Sequence, residues 1–204
     1  MFEYISVHWF EIIAASLGII AIYFQINAKP FYWLISLVVS AMYIVVYYTS
    51  KLYADMSMQF YYVGMSIYGL WAWLFGQKRN DNDERAPLPI STINNIKTWI
   101  IIAIITVGTF FLIGFILANY TDSNVPWWDA FTTALSFVAT WMLARKKIEN
   151  WIFWIVVDAT SVALYIYKQL YPTTILFVLL TFLAVVGYIQ WRKELKNMEI
   201  KKDI

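Results

Sequence analysis

Trp151, Trp154, Asp158, Ser161 and Tyr165 follow one another at steps of three and four residues, the spacing that sets side chains on one face of a helix. Two indoles, a carboxylate and two hydroxyls on one face can stack on a flat, positively charged ring, attract it through cation–π contact and balance its charge. Asp158 stands eight residues beyond Asn150, about 12 Å along a helix that rises 1.5 Å per residue. In a bilayer that is close to the midplane, where a lone carboxylate needs a cavity, a partner or a cation. The alternative is a structural hydrogen bond to a Ser, Thr or Tyr of a neighbouring helix. Trp151, at a helix end, equally suits the aromatic belt of a membrane interface; Trp154 lies one turn deeper.

A second face is spelled out by Gln59, Tyr62, Ser66, Gly69 and Trp73, with Tyr68 and Trp71 flanking it. An amide at mid-membrane needs a ligand or a partner, and polar glue between helices around Gly64 and Gly69 is the competing reading. Thr132, Ser136 and Thr140 share a face suited to packing, and Thr173, Thr174 and Thr181 are read with the same caution. Glu11 and Asp129 begin helices, where a carboxylate favours the dipole, and His8 beside Trp9 suits an interface. With one His and no Cys, no metal site, disulfide or thiolate nucleophile is expected. No Gly-x-Ser-x-Gly elbow or phosphate-cradling Gly loop occurs either. The chain therefore reads as no enzyme, with no catalytic residue, no cofactor and no nucleic-acid partner.

These faces need helices to carry them. The sequence is 61% hydrophobic and 14% charged, where a soluble domain needs about a quarter charged residues. Its apolar stretches are long enough to cross ~30 Å of hydrocarbon. Seven membrane helices are expected near His8–Ile26, Phe31–Thr49, Tyr53–Phe75, Thr98–Ala118, Trp127–Ala144, Trp151–Tyr167 and Pro172–Trp191. Lys29-Pro30 separates the first two, and Gln77–Pro89 reads as a long polar loop whose stretch Gln77–Arg85 is a solvated cytoplasmic turn. The acidic start, Met1-Phe-Glu-Tyr, does not fit a signal peptide. With seven crossings, 13 of the 15 Lys and Arg residues fall on one side and only Lys51 and Lys168 on the other. The positive-inside rule makes that side cytoplasmic, with the N-terminus outside and the C-terminus inside.

The segments are also duplicated. An offset of 118 residues aligns 9–73 with 127–191 without a gap, pairing Trp9 with Trp127, Trp33 with Trp151, Trp73 with Trp191, Lys29 with Lys147 and Gly69 with Gly187. Such repeats set the architecture and, in membranes, point to transporters with a site between the repeats. Three helices, a linker at 98–118 and three more leave both blocks in the same orientation, a parallel repeat. The mates of the proposed site differ: Ser36 opposes Trp154, Ser40 opposes Asp158 and Gln59 opposes Phe177. The scaffold is duplicated; the site is not.

The stretch Asn150-Trp-Ile-Phe-Trp-Ile-Val-Val-Asp158 resembles the W-x-x-W-x-x-x-N/D motif of the PnuC family of vitamin transporters. Gln59–Trp73 resembles that family's third-helix signature, and Arg145–Lys147 and Gly187–Trp191 also fit. The resemblance implies a three-plus-one-plus-three fold like a full-length SWEET arrangement, a homotrimer in the bacterial inner membrane, and facilitated diffusion. A cytoplasmic kinase would trap the imported vitamin. It further implies that Trp151 and Trp154 stack on the substrate, that Asp158 hydrogen-bonds it, and that Gln59, Tyr62 and Trp73 form an opposing wall. Nicotinamide riboside is the first substrate it suggests and thiamine the second, since both carry a cationic aromatic ring. A scaffold or receptor without transport is the reading from a different class.

Overall fold

The computed structural model describes residues 13, 16–49, 53–78 and 85–200. His8, Trp9, Glu11 and Lys51, all used in the sequence analysis, lie outside them. The described residues form an all-helical protein apart from one pair of two-residue strands. In order they are α1 (Ser16–Ile26), α2 (Phe31–Thr49), α3 (Tyr53–Phe75), β1 (Gln77–Lys78), β2 (Arg85–Ala86), α4 (Ile96–Tyr120), α5 (Pro126–Ala144), α6 (Asn150–Tyr167) and α7 (Tyr171–Ile200). Four of the seven helices, α2, α4, α6 and α7, are long and apolar enough to cross a membrane. At 23 and 19 residues α3 and α5 are long enough but less apolar, because Gln59, the tyrosines and the hydroxyls that distinguish them dilute the aliphatic run.

The chain divides into two compact units, Met1–Pro89 and Ile90–Ile204. In the first, α2 packs along α3, and β1 pairs antiparallel with β2 in the register Gln77↔Ala86. The polar loop expected at Gln77–Pro89 is therefore partly ordered by strand pairing. In the second, α4 packs on α5, α5 on α6 and α6 on α7. Asn95 starts α4 by accepting a hydrogen bond from the Lys97 amide at 2.9 Å, and Pro126 opens α5, where a missing N–H is harmless.

Three helices stop in one way. Ala28, Lys146 and Gln169 have φ of 50°, 48° and 58°, and the next residue's amide reaches back five positions: Lys29 to Phe24, Lys147 to Met142 and Leu170 to Tyr165, each at 2.9 Å. This is the Schellman stop, which usually employs Gly. Ala28 and Lys146 are mates at the 118-residue offset, so the two blocks turn alike here.

The last helix departs from expectation. It runs to Ile200, nine residues past the expected end at Trp191. Arg192 to Glu199 are helix formers without Gly or Pro, and Gln190 Nε2 donates to Glu194 Oε1 at 3.2 Å across one turn. Hydropathy ended the apolar run, but nothing in the backbone ended the helix.

Candidate functional site

A small residue facing a large ring builds the core of each unit. A Cβ on Gly69 would stand 2.3 Å from the Trp33 ring, and one on Gly187 would stand 2.5 Å from the Trp151 ring. Trp33 meets Trp73 edge-on, with ring centroids 5.6 Å apart at 86°; Trp151 meets Trp191 at 5.5 Å and 89°. All four indoles are at most 2% exposed. Each unit thus holds one wedge: a Trp seated against a Gly and the edge of a second Trp.

The wedges hold two of the expected site residues. Trp151, expected on a substrate or at an interface, is a buried packing ring that repeats Trp33 in geometry and even in its buried, unpartnered Nε1. Trp73, expected in an opposing wall, is fully buried between Trp33 and Tyr32. The residue type needed to stack on a ligand is also the type that fills a wedge.

The rest of the α6 face is different. Asp158 is 6% exposed and forms no hydrogen bond or ion pair among the described residues. One turn earlier, Trp154 is half-buried and its Nε1 is buried without a hydrogen-bond partner. A buried indole donor without a partner and, four residues on, a carboxylate with no protein partner stand on one helix. Leaving such groups unpaired costs free energy, so the arrangement favours a ligand that offers both complements. Ser161, next along, is satisfied by its own helix, donating to the Val157 carbonyl at 2.8 Å. Tyr165 closes the face, its ring 5.0 Å from that of Phe177.

Gln59, Tyr62 and Trp73 belong to the other unit. Gln59 and Tyr62 are half-buried on α3. The Tyr62 carbonyl accepts from Ser66 Oγ at 2.7 Å, and Ser66 Oγ also lies 3.1 Å from Ser36 Oγ on α2. Ser66 is thus the polar link between α2 and α3. On α5, Ser136 and Thr140 bond back to Thr132 and Ser136 carbonyls, in keeping with packing. Asp129 accepts from Ser123 Oγ at 2.9 Å and lies 3.9 Å from Lys168 Nζ, so it ties a loop down rather than capping a free helix N–H.

Sequence reasoning missed the start of α6. Asn150 is fully buried; its Nδ2 donates to the Lys147 carbonyl at 2.6 Å while its Oδ1 has no partner. Beside it, burial pushes the Lys146 ammonium down to about 8, partly opposed by Glu194. Burial also lowers Lys147, which Glu149 opposes and Arg145 reinforces. The signal was available as a polar Asn immediately before a buried Trp. No group of His, Asp or Glu among the described residues could hold a metal. An apolar groove of about 370 Å³ between α6 and α7 is lined by Ala159, Val162, Val178, Thr181, Phe182 and Val185. It takes in none of the site residues.

Comparison with known proteins agrees with a transporter. A family model described as nicotinamide mononucleotide transporter matches residues 8–193. The nicotinamide riboside transporter PnuC of Escherichia coli (strain K12) is 21% identical over 204 residues, covering 90% of this chain and 84% of that protein. The nicotinamide riboside transporter PnuC of Neisseria mucosa is 26% identical over 197 residues, covering 93% and 74%. The crystal structure of the vitamin B3 transporter PnuC matches with a TM-score of 0.71 at 23% identity, over 96% of this chain and 86% of that one, a likeness of fold.

Proposed function

The chain belongs to the nicotinamide mononucleotide transporter family, and from that premise we propose that it imports nicotinamide riboside by facilitated diffusion. It is a multi-pass membrane protein of transporter type and not an enzyme. The observation that carries the substrate is the unsatisfied pair on α6, the buried Asp158 carboxyl and the Trp154 N–H. Nicotinamide riboside brings a cationic pyridinium ring, whose charge suits Asp158 and whose face suits an indole. Its carboxamide and ribose hydroxyls supply acceptors for the indole N–H. In this scheme Trp154 and Asp158 hold the ring and Ser161 and Tyr165 continue the face, and the family resemblance adds Gln59 and Tyr62. Trp151, one turn before Trp154, begins the same face, as Trp73 ends the face of Gln59 and Tyr62.

The family resemblance supports the rest of the scheme. Seven crossings are arranged as three, one and three in parallel blocks, with the N-terminus outside and the C-terminus in the cytoplasm of a bacterial cell. The protein assembles as a homotrimer in the inner membrane. A cytoplasmic kinase phosphorylates the riboside, and the added charge keeps it inside, so the carrier needs no ion gradient.

The test is a titration of purified protein with nicotinamide riboside, read by quenching of its Trp fluorescence and followed by uptake into proteoliposomes. Wild-type protein should bind saturably, and Trp154→Ala should abolish binding. Saturable riboside uptake that survives Trp154→Ala would remove Trp154 from the site. Asp158 also suits the cationic thiazolium of thiamine, so thiamine is the second reading. Thiamine outcompeting the riboside for uptake would reverse the assignment. No flux of either vitamin would leave the protein a scaffold.

A further inference from the structure

A short segment ahead of α4 is buckled onto the turn between α5 and α6. Ser91 pairs in parallel with Lys147: its amide donates to the Lys146 carbonyl and its carbonyl accepts from the Ile148 amide, both at 3.0 Å. Lys147 Nζ donates to Ser91 Oγ at 2.9 Å and to the Thr92 carbonyl at 3.0 Å. The Ile93 amide donates to Glu149 Oε1 at 2.7 Å. Beneath these polar ties Ile93 packs with Ile102, Val138 and Met142, and Phe153 of α6 lies against that cluster. The segment therefore grips the first turn of α6 by its charge and by its apolar side.

The other block supplies an internal control. Ala28 and Lys29 make the same left-handed stop as Lys146 and Lys147. Tyr32 and Trp33 then begin α2 with the same amide bonds, to Lys29 and Pro30, that Asn150 and Trp151 make to Lys147 and Ile148. Yet the mate of Glu149 is Phe31, which is exposed, and Lys29 is exposed too. Among the described residues no segment bridges onto that turn. The turn closes without a buckle, so the buckle at Lys147 and Glu149 does something beyond closing it. Among the described residues it sits only on the block whose middle helix carries Asp158 and Trp154.

We propose that Glu149 is a positioning residue: by bonding the Ile93 amide it fixes the start of α6, and so sets the depth and rotation of Trp154 and Asp158. Trp154 is five residues from Glu149 and Asp158 nine, so a helix released at its first turn carries both away from their set positions. The consequence for transport rests on the riboside reading, whereas the consequence for the helix does not. Lys147 completes the grip, holding two acceptors that Glu149 does not touch.

The experiment compares Glu149→Ala, which removes the acceptor, with Glu149→Gln, whose amide oxygen still accepts the Ile93 N–H. Hydrogen exchange across residues 150–160 reads the helix directly in the full-length protein. Glu149→Ala should speed exchange through the turn of Asp158, and Glu149→Gln should restore it. Acceleration that ends before Trp154, or is equal in both variants, overturns the proposal whatever the substrate. Riboside titration and uptake read the consequence: Glu149→Ala should raise Kd and KM on the order of tenfold with little change in maximal rate, and Glu149→Gln should stay near wild type. Unchanged Kd in a Glu149→Ala protein with accelerated exchange at Asp158 also overturns it. Wild-type protein that fails to bind riboside rejects the substrate, while the exchange comparison still decides the role of Glu149.

Discussion

The indole of Trp151 lies where a Cβ on Gly187 would have to stand, within 2.6 Å of three of its ring carbons. Trp151 is 2% exposed and held by Trp191, so it has nowhere to go. Gly187→Ala should therefore lower stability by about 1–3 kcal/mol, as overpacking of tight cores does, and Gly69→Ala should do the same through Trp33. Gly114 is a built-in contrast. Its Cβ would be 2.4 Å from Trp127, but that ring is 47% exposed and can swing aside. Thermal melts should rank Gly114→Ala clearly milder; equal losses would mean the wedges are softer than their burial implies.

Asp158 predicts opposite movements of stability and binding. A buried carboxyl without a partner destabilises the fold that holds it. Asp158→Ala should raise the melting temperature of ligand-free protein while removing riboside binding, the trade-off usual for functional sites. A lower melting temperature would point to a structural bond that Asp158 makes.

Ala28 carries a φ of 50°, a region that costs an L-residue about 1 kcal/mol and glycine little. Ala28→Gly should stabilise by up to about 1 kcal/mol, less the greater freedom Gly gives the unfolded chain. Denaturant midpoints measure this. A destabilised variant would show that the methyl group itself packs.

Lys146 predicts a pH dependence. Burial holds its ammonium at about 8 in the fold against an ordinary value of 10.5. Between those values the unfolded chain binds more protons, so stability rises with pH across that window. Below about 8 both states are protonated and the slope disappears. Melting temperatures of wild type relative to Lys146→Met, taken from pH 7 to 10, should climb above pH 8. A flat difference would mean that Glu194 compensates the burial in full.

Particular residues show how far the sequence could be read. Phe31–Thr49 and Tyr53–Phe75 emerge with the expected ends because polar or Pro-containing breaks bound them on both sides. The wedges were present as matched Trp and Gly at one offset, yet their geometry was not, since a Trp that stacks on a ligand and a Trp that fills a wedge are the same letter. Asp158 and Trp154 stood out in the sequence because polar groups inside apolar runs are rare. The tie from Ser91 and Ile93 to Lys147 and Glu149 was not: it joins polar residues more than fifty positions apart, with no periodicity to announce it. The end of α7 was missed for the opposite reason, because charged helix formers carry a helix on after hydropathy has stopped.

The wedges also bear on how such a chain can be made. Trp33 and Trp73 are forty residues apart, as are Trp151 and Trp191, and each pair closes inside its own unit. Contacts of short sequence separation can form early, and domains emerging from the ribosome fold as units, N-terminal first. The first wedge can thus seat itself before Trp151 has been synthesised, and the second closes within its own unit. A nascent chain built this way need not hold a half-finished core open in the membrane while it waits for its C-terminus.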